Sequence, residues 1–480
     1  MKKAAELIFF SMPGVGHVVS TIEFARSLIE RSNSQLFVSI VVMKFPTTPF
    51  VDPYAKSLTA SEPNMQLVDL PDNIEGMPTL EVFKKSVPGY YNAVIECYKP
   101  HVRTIVSDMI SSRSAPDSVP IVGVVLDMFC DSLIDIGTEF GLPSYVYSPT
   151  GTPFLSLMFH MPTRHQQIGS EFSLSDPATP LPGIANPMPT KCLPDAVFNK
   201  DGGYHSYLNV GQRFKDAKGI LANTIYELES HAVDYLNSHH TPKIHPVGPV
   251  LHLKSQPHPD MQQGRWQKVT NWLDEQAESS VIFLCFGSSG SLSATQVKEL
   301  ATGLEQSGQK FLWSLRLPPV KLEEPQFKSV EEMLPEGFLE RVEGRGVVCG
   351  WSPQVEVLAH KAVGAFVSHC GWNSILESLW YGVPIVTLPI YAEQQLNAFV
   401  LVKELGIAVN LRMDFSPKLD LITADEVKTA LTSVMEPDNE VRKKVKSLSE
   451  ISRNALKEGG SSYNSISEFM TELLGSSWSD

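Results

Sequence analysis

Short apolar runs alternate with amphipathic stretches along the whole chain. Runs at 7–11, 37–42, 65–70, 121–126, 144–147 and 219–222 mark the first half, and runs at 281–286, 311–315, 346–349, 365–368 and 385–388 the second. Most are rich in Val, Ile and Phe and show little polar alternation, the pattern of parallel strands covered on both faces. Helical patterns lie between them. Val297, Leu300, Ala301 and Leu304 share one helical face, Ser293 and Gln296 stand in capping-box positions before it, and Gly308 can end it. This β-α-β alternation runs twice, which predicts an α/β fold of two Rossmann-like, doubly wound domains. Beyond a break at Gly459-Gly460, Ile466, Phe469, Met470 and Leu473 form one apolar face of a last helix. By itself that face is read as packing on the nearest domain.

The chain has 480 residues, too many for one ordinary core and suited to two domains. After 245–250 (HPVGPV) a stretch with two prolines and a Met-Gln-Gln-Gly run lacks periodicity and reads as a linker. The expected organisation is a first domain over 1–250, a linker over 251–268, a second domain over 269–455 and a terminal helix within 456–480. A hydrophobic share of 42% with 19% charged residues excludes a largely disordered chain. The net charge of −14 opposes nucleic-acid and anionic-membrane binding, and it requires a locally positive or dipolar pocket for any anionic ligand. Six dispersed cysteines without a CxxC pair argue against disulfides and zinc, and Cys130, Cys285 and Cys370 sit in apolar runs as buried thiols do. The apolar run near the N-terminus is short and leads straight into a glycine turn, unlike a signal peptide. No stretch has the ~18–20 apolar residues of a membrane span. A cytoplasmic protein without membrane insertion is expected.

In open parallel sheets ligands bind beyond the C-terminal strand ends, so two such sheets place a site in the cleft between them. The strand at 365–368 runs into His369-Cys370-Gly371 and then a helix from Asn373 to a closing Gly382. Such a turn presents backbone N–H groups and the positive helix end to an anion. His369, Asn373 and Ser374 add polar groups, and Glu377 lies one turn further on, able to accept from ribose hydroxyls. From these residues alone, a phosphate-bearing ligand and a merely capped helix stand equally open. The first strand leads into Gly14-Val15-Gly16-His17, but Val19 replaces the third glycine of a dinucleotide fingerprint. An imidazole at the mouth of a cleft suits a general base, and it suits a structural role as well. Asp127, at the end of the 121–126 strand, could orient that imidazole or cap the next helix. Asp131 and Asp135 read as exposed or capping residues.

The wider segment 351–394 reads WSPQVEVLAHKAVGAFVSHCGWNSILESLWYGVPIVTLPIYAEQ, 394 − 351 + 1 = 44 residues. With WxPQ, HxAVG, HCGWNSxLE, GVP and EQ in register, it resembles the signature box of plant secondary-product glycosyltransferases, the UDP-dependent family 1 enzymes. The resemblance continues through LPGI at 181–184, Asn223-Thr224 before a helix with Glu227 and Glu229, and Phe286-Gly287-Ser288.

The resemblance implies a GT-B type fold, with the last helix crossing back onto the first domain. In it Trp351 would stack on uracil, the Ser352 backbone would read the base edge, and Gln354 and Glu377 would meet the ribose. His369, the Gly371 turn, Asn373 and Ser374 would hold the diphosphate with the Gly287-Ser288-Ser289 turn. Trp372, Glu393 and Gln394 would contact the sugar; Glu393 stands where the family often has Asp. The terminal Gln394 goes mostly with glucose, and glucuronate users tend to carry a cation at the place of Trp372. His17 becomes the general base and Asp127 its partner.

The implied function is an inverting UDP-glucose-dependent O-glucosyltransferase making β-glucosides on small lipophilic plant metabolites. UDP-glucose enters as co-substrate, with no bound cofactor and, lacking a D-x-D triplet, no metal. The acceptor is expected against the first domain between the segments 145–160 and 180–198, lined by Phe129, Tyr147, Phe154 and Met158, each equally suited to a core. The tract 390–399 (IYAEQQLNAF) resembles that of a subgroup often active on flavonoids and related phenolics, with triterpenoids close behind and hormones as a further alternative. A monomer is expected. Two other classes compete, a noncatalytic UDP-sugar-binding protein and an NAD(P)-type oxidoreductase, and an endoplasmic-reticulum-anchored animal-type glucuronosyltransferase is a further rival. The His17–Asp127 pair opposes the first, the missing glycine fingerprint the second, and the lack of a signal or anchor pattern the third.

Overall fold

A computed structural model describes residues 4–46, 48, 51–72, 74–113, 118–254, 263–287, 290–317, 327, 329–416 and 420–475. The apolar runs pair into two parallel sheets. The strands of the first are β1 (Ala5–Ser11), β2 (Leu36–Val42), β3 (Met65–Val68), β4 (Ile121–Asp127), β5 (Ser144–Ser148), β6 (Gly219–Ala222) and β7 (Ile244–Pro246). Those of the second are β8 (Val281–Cys285), β9 (Lys310–Ser314), β10 (Gly346–Cys349), β11 (Val363–Ser368), β12 (Ile385–Thr387) and β13 (Ala408–Asn410). Among the described residues the orders are β3-β2-β1-β4-β5-β6-β7 and β10-β9-β8-β11-β12-β13. Each sheet reverses direction of build once, between β1 and β4 and between β8 and β11. Those two switch points open crevices at their strand ends.

Burial on both faces explains the unbroken apolar runs. In β1, Leu7 and Phe9 point into one core cluster and Ile8 and Phe10 into the opposite one. In β8, Val281 and Phe283 divide from Ile282 and Leu284 in the same way. The fold is thus two facing doubly wound α/β domains, the GT-B arrangement.

Three local expectations change. Strands β7 and β13 were not foreseen, being three residues long, one of them containing Pro246. Ser293 caps its helix by accepting from Gln296 N at 3.2 Å, but the Gln296 side chain turns away to bond Ile422 N and O at 2.9 and 3.0 Å. The helix Gln263–Asp274 begins inside the stretch read as linker, while 255–262 lie outside the described residues.

The chain leaves the first domain under tight control. Asn223 accepts from Val250 N at 2.7 Å and donates to Val250 O at 3.3 Å. The helix Glu440–Ala455 lies on helix Trp372–Tyr381, with Ser449 bonded to Trp380 O at 2.8 Å. After Gly459, at φ +81°, the helix Ser461–Leu474 packs on the first sheet, where Phe469 meets Tyr145 edge-on at 4.8 Å and Arg31 lies over Tyr463 at 4.2 Å. None of the six cysteines is joined in a disulfide, and Cys130, Cys285 and Cys370 are buried. Among the described residues no helix is long and apolar enough to cross a membrane.

Candidate active site

A cleft of about 490 Å³ lies between the two switch points, within the usual range for a small-molecule site of ~300–1,000 Å³. The structure brings His17 to it from one side and, from the other, Trp351, Ser352, Gln354, His369, Gly371, Trp372, Asn373, Ser374, Glu377, Glu393 and Gln394. Ser288 and Ser289 lie outside the described residues.

On the first wall, β1 ends at Ser11 and the chain turns at Gly14 into helix Val15–Arg31, so His17 sits in its first turn. Asp127 closes the neighbouring strand β4 and is fully buried, whereas the His17 side chain keeps 29% of its surface exposed. His17 Nδ1 and Asp127 Oδ2 are 2.6 Å apart. The other carboxylate oxygen, Oδ1, accepts from the Phe129 N–H at 3.1 Å. Of the two roles open to Asp127, the capping one is not taken up: the next helical turn, Asp131–Leu133, has Cys130 at its N-cap and no side-chain cap bond, and Oδ1 holds the turn after β4 instead. With Nδ1–H donating, Nε2 is the nitrogen left with a lone pair. Burial opposes a charged His17, but the charge and hydrogen bond of Asp127, with the more distant Glu393 charge, outweigh it and raise the imidazole above its ordinary value.

The second wall is built around one buried imidazole. After β11, Cys370 adopts φ +62°, and Ser368 Oγ accepts its N–H at 3.1 Å while Asn397 Nδ2 donates to its carbonyl at 3.0 Å. A Cβ at either Gly287 (φ +70°) or Gly371 would lie 2.6 Å from His369 Nε2, so two glycine turns hold the ring between them. Burial lowers His369 to about 4, opposed by the hydrogen bond that the ring donates to the Cys285 backbone and helped by the charge of Arg316, so the ring is neutral. Its Nδ1, the Ser352 Oγ and the Asn373 Oδ1 are buried without a partner in the protein. Orphaned polar atoms in a cleft are what a polar ligand satisfies.

Gln354 locks the next group together, donating to Ser374 Oγ at 2.8 Å and to Glu377 Oε2 at 2.7 Å. Burial pushes Glu377 up to about 7, although Gln354 and the charge of His252 pull the other way. Gln394 spends its side-chain oxygen on Ile390 N and Tyr391 N, at 2.9 and 3.0 Å, which turns its amide N–H group toward donation. Burial also raises Glu393, opposed by its own backbone and by His17.

Two residues of this wall also join the domains. Asn373 Nδ2 donates to Gly16 O at 3.1 Å, one residue from His17. Trp372 is buried, its indole N–H bonded to Asn223 O at 2.6 Å, and a Cβ on Gly151 would strike its ring at 2.5 Å. Much of Trp372 is thus a wedge between domains, with only part of it left to the cleft.

The acceptor residues divide. Phe129 and Phe154 line the cleft, edge-on to each other at 6.2 Å, with Phe129 6.0 Å from the His17 ring. Tyr147 and Met158 do not line it, and the expectation for them is corrected. Alternation along β5 sends Tyr145 and Tyr147 under helix Val15–Arg31, where Tyr147 stacks on Phe24 at 5.1 Å and shares a 2.5 Å hydrogen bond with Ser20. Met158 is wholly buried in the core of the first domain. From the segment 180–198 no residue lines the cleft. Asp131 is likewise buried, and burial pushes its carboxyl up to about 7; Asp135 instead pairs at the surface with Lys99 and Arg213.

Sequence reasoning missed Arg316, Lys254, Thr150 and Tyr391, all of which line the cleft. Arg316 donates to the Gly287 carbonyl. It lies two residues beyond the end of β9, and the rule that ligands gather beyond strand ends was the signal that could have found it.

The family model described as UDP-glucoronosyl and UDP-glucosyl transferase matches residues 223–456. Flavonol 3-O-glucosyltransferase UGT71C4 of Arabidopsis thaliana is 47% identical over 480 residues, covering 99% of each chain. UDP-glycosyltransferase 71K1 of Malus domestica is 44% identical over 481 residues, 98% of this chain and 99% of its own. Among solved structures, Medicago truncatula UGT71G1 complexed with UDP-glucose superposes with a TM-score of 0.89 at 45% identity, covering 98% of this chain and 99% of the other.

Proposed function

This chain belongs to the UDP-glucoronosyl and UDP-glucosyl transferase family and is a glycosyltransferase, and from that premise we propose that it glucosylates small phenols. UDP-glucose is the donor, a hydroxyl of a lipophilic phenolic such as a flavonol is the acceptor, and a β-glucoside forms with inversion. The observation that carries this reading is the 2.6 Å His17–Asp127 pair opening into the same cleft as Trp351 to Gln394.

His17 Nε2 removes the acceptor's hydroxyl proton, and the oxygen attacks the anomeric carbon on the face opposite the diphosphate. The bond from that carbon to the phosphate oxygen breaks, and UDP departs with the electron pair. Its charge is met by the N-terminus of helix Trp372–Tyr381, the His369 turn and the Gly287 turn backed by Arg316, without a metal. Trp351 carries the uracil, Glu377 accepts from the ribose hydroxyls, and the Gln394 amide and Glu393 read the sugar. Glucose and a flavonol-like acceptor are supported by what the Arabidopsis relative is named for and by the UDP-glucose held in the Medicago structure. Phe129 and Phe154 offer an aromatic wall beside His17 for such a ring.

The test is a mass-spectrometric screen of phenolics, triterpenoids and hormones against UDP-glucose, UDP-galactose and UDP-glucuronate, with and without chelator. Phenolic glucosides formed from UDP-glucose regardless of chelator are expected. Binding of UDP with no product from any pair would overturn the reading.

Two results should follow at the donor end. Gly287→Ala forces a left-handed conformation on a residue with a Cβ and drives that Cβ at His369. UDP affinity should fall about tenfold or more, since ~1.4 kcal/mol of strain suffices for that; calorimetry reads it directly. Glu377 must be ionised to accept from two hydroxyls, and its carboxyl stands near 7 without them. Binding should therefore release a proton below neutral pH, with UDP affinity rising from pH 5 to about 7 and levelling above it. Flat affinity across that window would contradict the role given to Glu377.

A further inference from the structure

The helix Gln394–Phe399 belongs by sequence to the second domain but buries its apolar face in the first. Leu396, Phe399 and Val400 are nearly inaccessible and share one core cluster with Phe154, Met188 and Cys192. Each part of the segment also grips something different. At its start Glu393 and Gln394 line the cleft. In the middle Asn397 holds the Cys370 carbonyl, in the turn that carries His369. At its end the backbone widens into a π-helical turn, Val400–Glu404, a local irregularity that redirects the last side chain. That side chain, Glu404, reaches across to the first domain. Its Oε2 accepts from Ala185 N at 3.1 Å, and its Oε1 accepts from Asn186 N at 2.9 Å and Asn186 Nδ2 at 2.8 Å.

We propose that the segment 393–404 is a strut that fixes the spacing of the two cleft walls, with Glu404 as its positioning residue. The clamp on Ala185 and Asn186 holds the far end of the strut to the acceptor domain. Its near end then presents Glu393 and Gln394 to the sugar in register with His17. Binding of UDP does not need this, because Trp351, Gln354, Glu377 and His369 all stand in the second domain. Transfer does, because the anomeric carbon and the acceptor oxygen come from opposite walls and an error of ~1 Å between them can cost about 10²-fold in rate. A loosened strut should also admit water to the sugar, so that UDP-glucose is hydrolysed in place of being transferred.

The inference rests on the transfer reaction proposed above, and the experiment separates the two. Glu404→Ala removes the clamp, and Asn186→Asp sets two carboxylates against each other. The double variant Glu404→Gln with Asn186→Asp restores an amide–carboxylate pair. Both single variants should keep UDP affinity within about twofold of the parent while transfer kcat falls about tenfold and the ratio of hydrolysis to transfer rises. The double variant should recover much of the loss. Hydrogen exchange supplies a readout that needs no acceptor: the amides of 393–397, at the cleft end of the segment, should exchange faster in Glu404→Ala than in the parent chain, with or without UDP. An unchanged hydrolysis-to-transfer ratio in both single variants would overturn the proposal. So would equal losses of kcat, UDP affinity and melting temperature, which mark a merely structural contact. If the parent chain transferred sugar to no acceptor, the functional reading would fail, and exchange at 393–397 would still decide the strut.

Discussion

Substituting His17→Ala should lower kcat for transfer by about a thousandfold while UDP binds as tightly as before. The size follows from what the imidazole alone supplies. A phenol or alcohol must lose its proton as it attacks, and His17 holds the lone pair for that through the single tie of its other nitrogen to Asp127. Glu393 also lines the cleft within charge range of His17, and a carboxylate there is the group that could sustain residual turnover. Burial disfavours its ionised form, so little of it is available as a base and the residue of activity should be small. UDP affinity should hold because Trp351, Gln354, Glu377 and His369 keep their places in the second domain. Removing the ring leaves Asp127 Oδ2 buried without its partner, a loss of about 1–3 kcal/mol. For that reason His17→Gln, which can still donate to Asp127, is the companion variant. Both variants should be equally inactive in initial-rate assays, with UDP titration near that of the parent. Turnover within tenfold of the parent in His17→Gln would take the base role away from His17.

What the sequence showed depended on whether the information was local. The donor wall is contiguous: strand, glycine turn and helix follow one another from Val363 to Tyr381, so their chemistry could be read as a unit. The doubly wound class was equally legible, because strands covered on both faces leave unbroken apolar runs. The His17–Asp127 contact spans 110 positions. Strand-end logic placed both residues on the ligand side, but only the sheet order sets β4 beside β1. Tyr147 failed for a related reason. The alternation within Ser144–Ser148 separates its tyrosines from Val146, yet nothing local says which face of the strand looks toward the cleft. Asp131 was misplaced because no local pattern marks its burial, which outweighs the charges of Arg213 and Lys99 acting on its carboxyl. The Glu404 clamp joins residues more than two hundred positions apart by bonds to backbone N–H groups, which leave no signature in side-chain type.

Asp127→Asn should cost two to four orders of magnitude in kcat, about as much as losing the imidazole, although it changes only one atom in size and shape. The reason lies in the two bonds Asp127 makes. A carboxylate offers an oxygen to the Phe129 N–H and another to His17 Nδ1–H. An amide has one oxygen, and the Phe129 N–H retains it. The amide nitrogen then faces His17 Nδ1 and donates to it, which drives the ring proton onto Nε2, the atom required as base. Asp127→Ala imposes no tautomer, so Asn should be at least as damaging as Ala despite the better fit. The pH profile carries a second signature. In the parent chain Asp127 and Glu393 raise the His17 pKa above its ordinary value, and a base works only when neutral. Activity should therefore climb as pH rises through that elevated value and level off above it. Without the Asp127 charge, burial dominates and lowers the pKa, so the residual activity of Asp127→Asn should reach its plateau at lower pH. Initial rates from pH 5 to 9 in the three proteins measure both effects. If Asp127→Asn kept more than about a tenth of parental kcat with an unmoved acid limb, Asp127 would be holding the Phe129 turn and not the tautomer of His17.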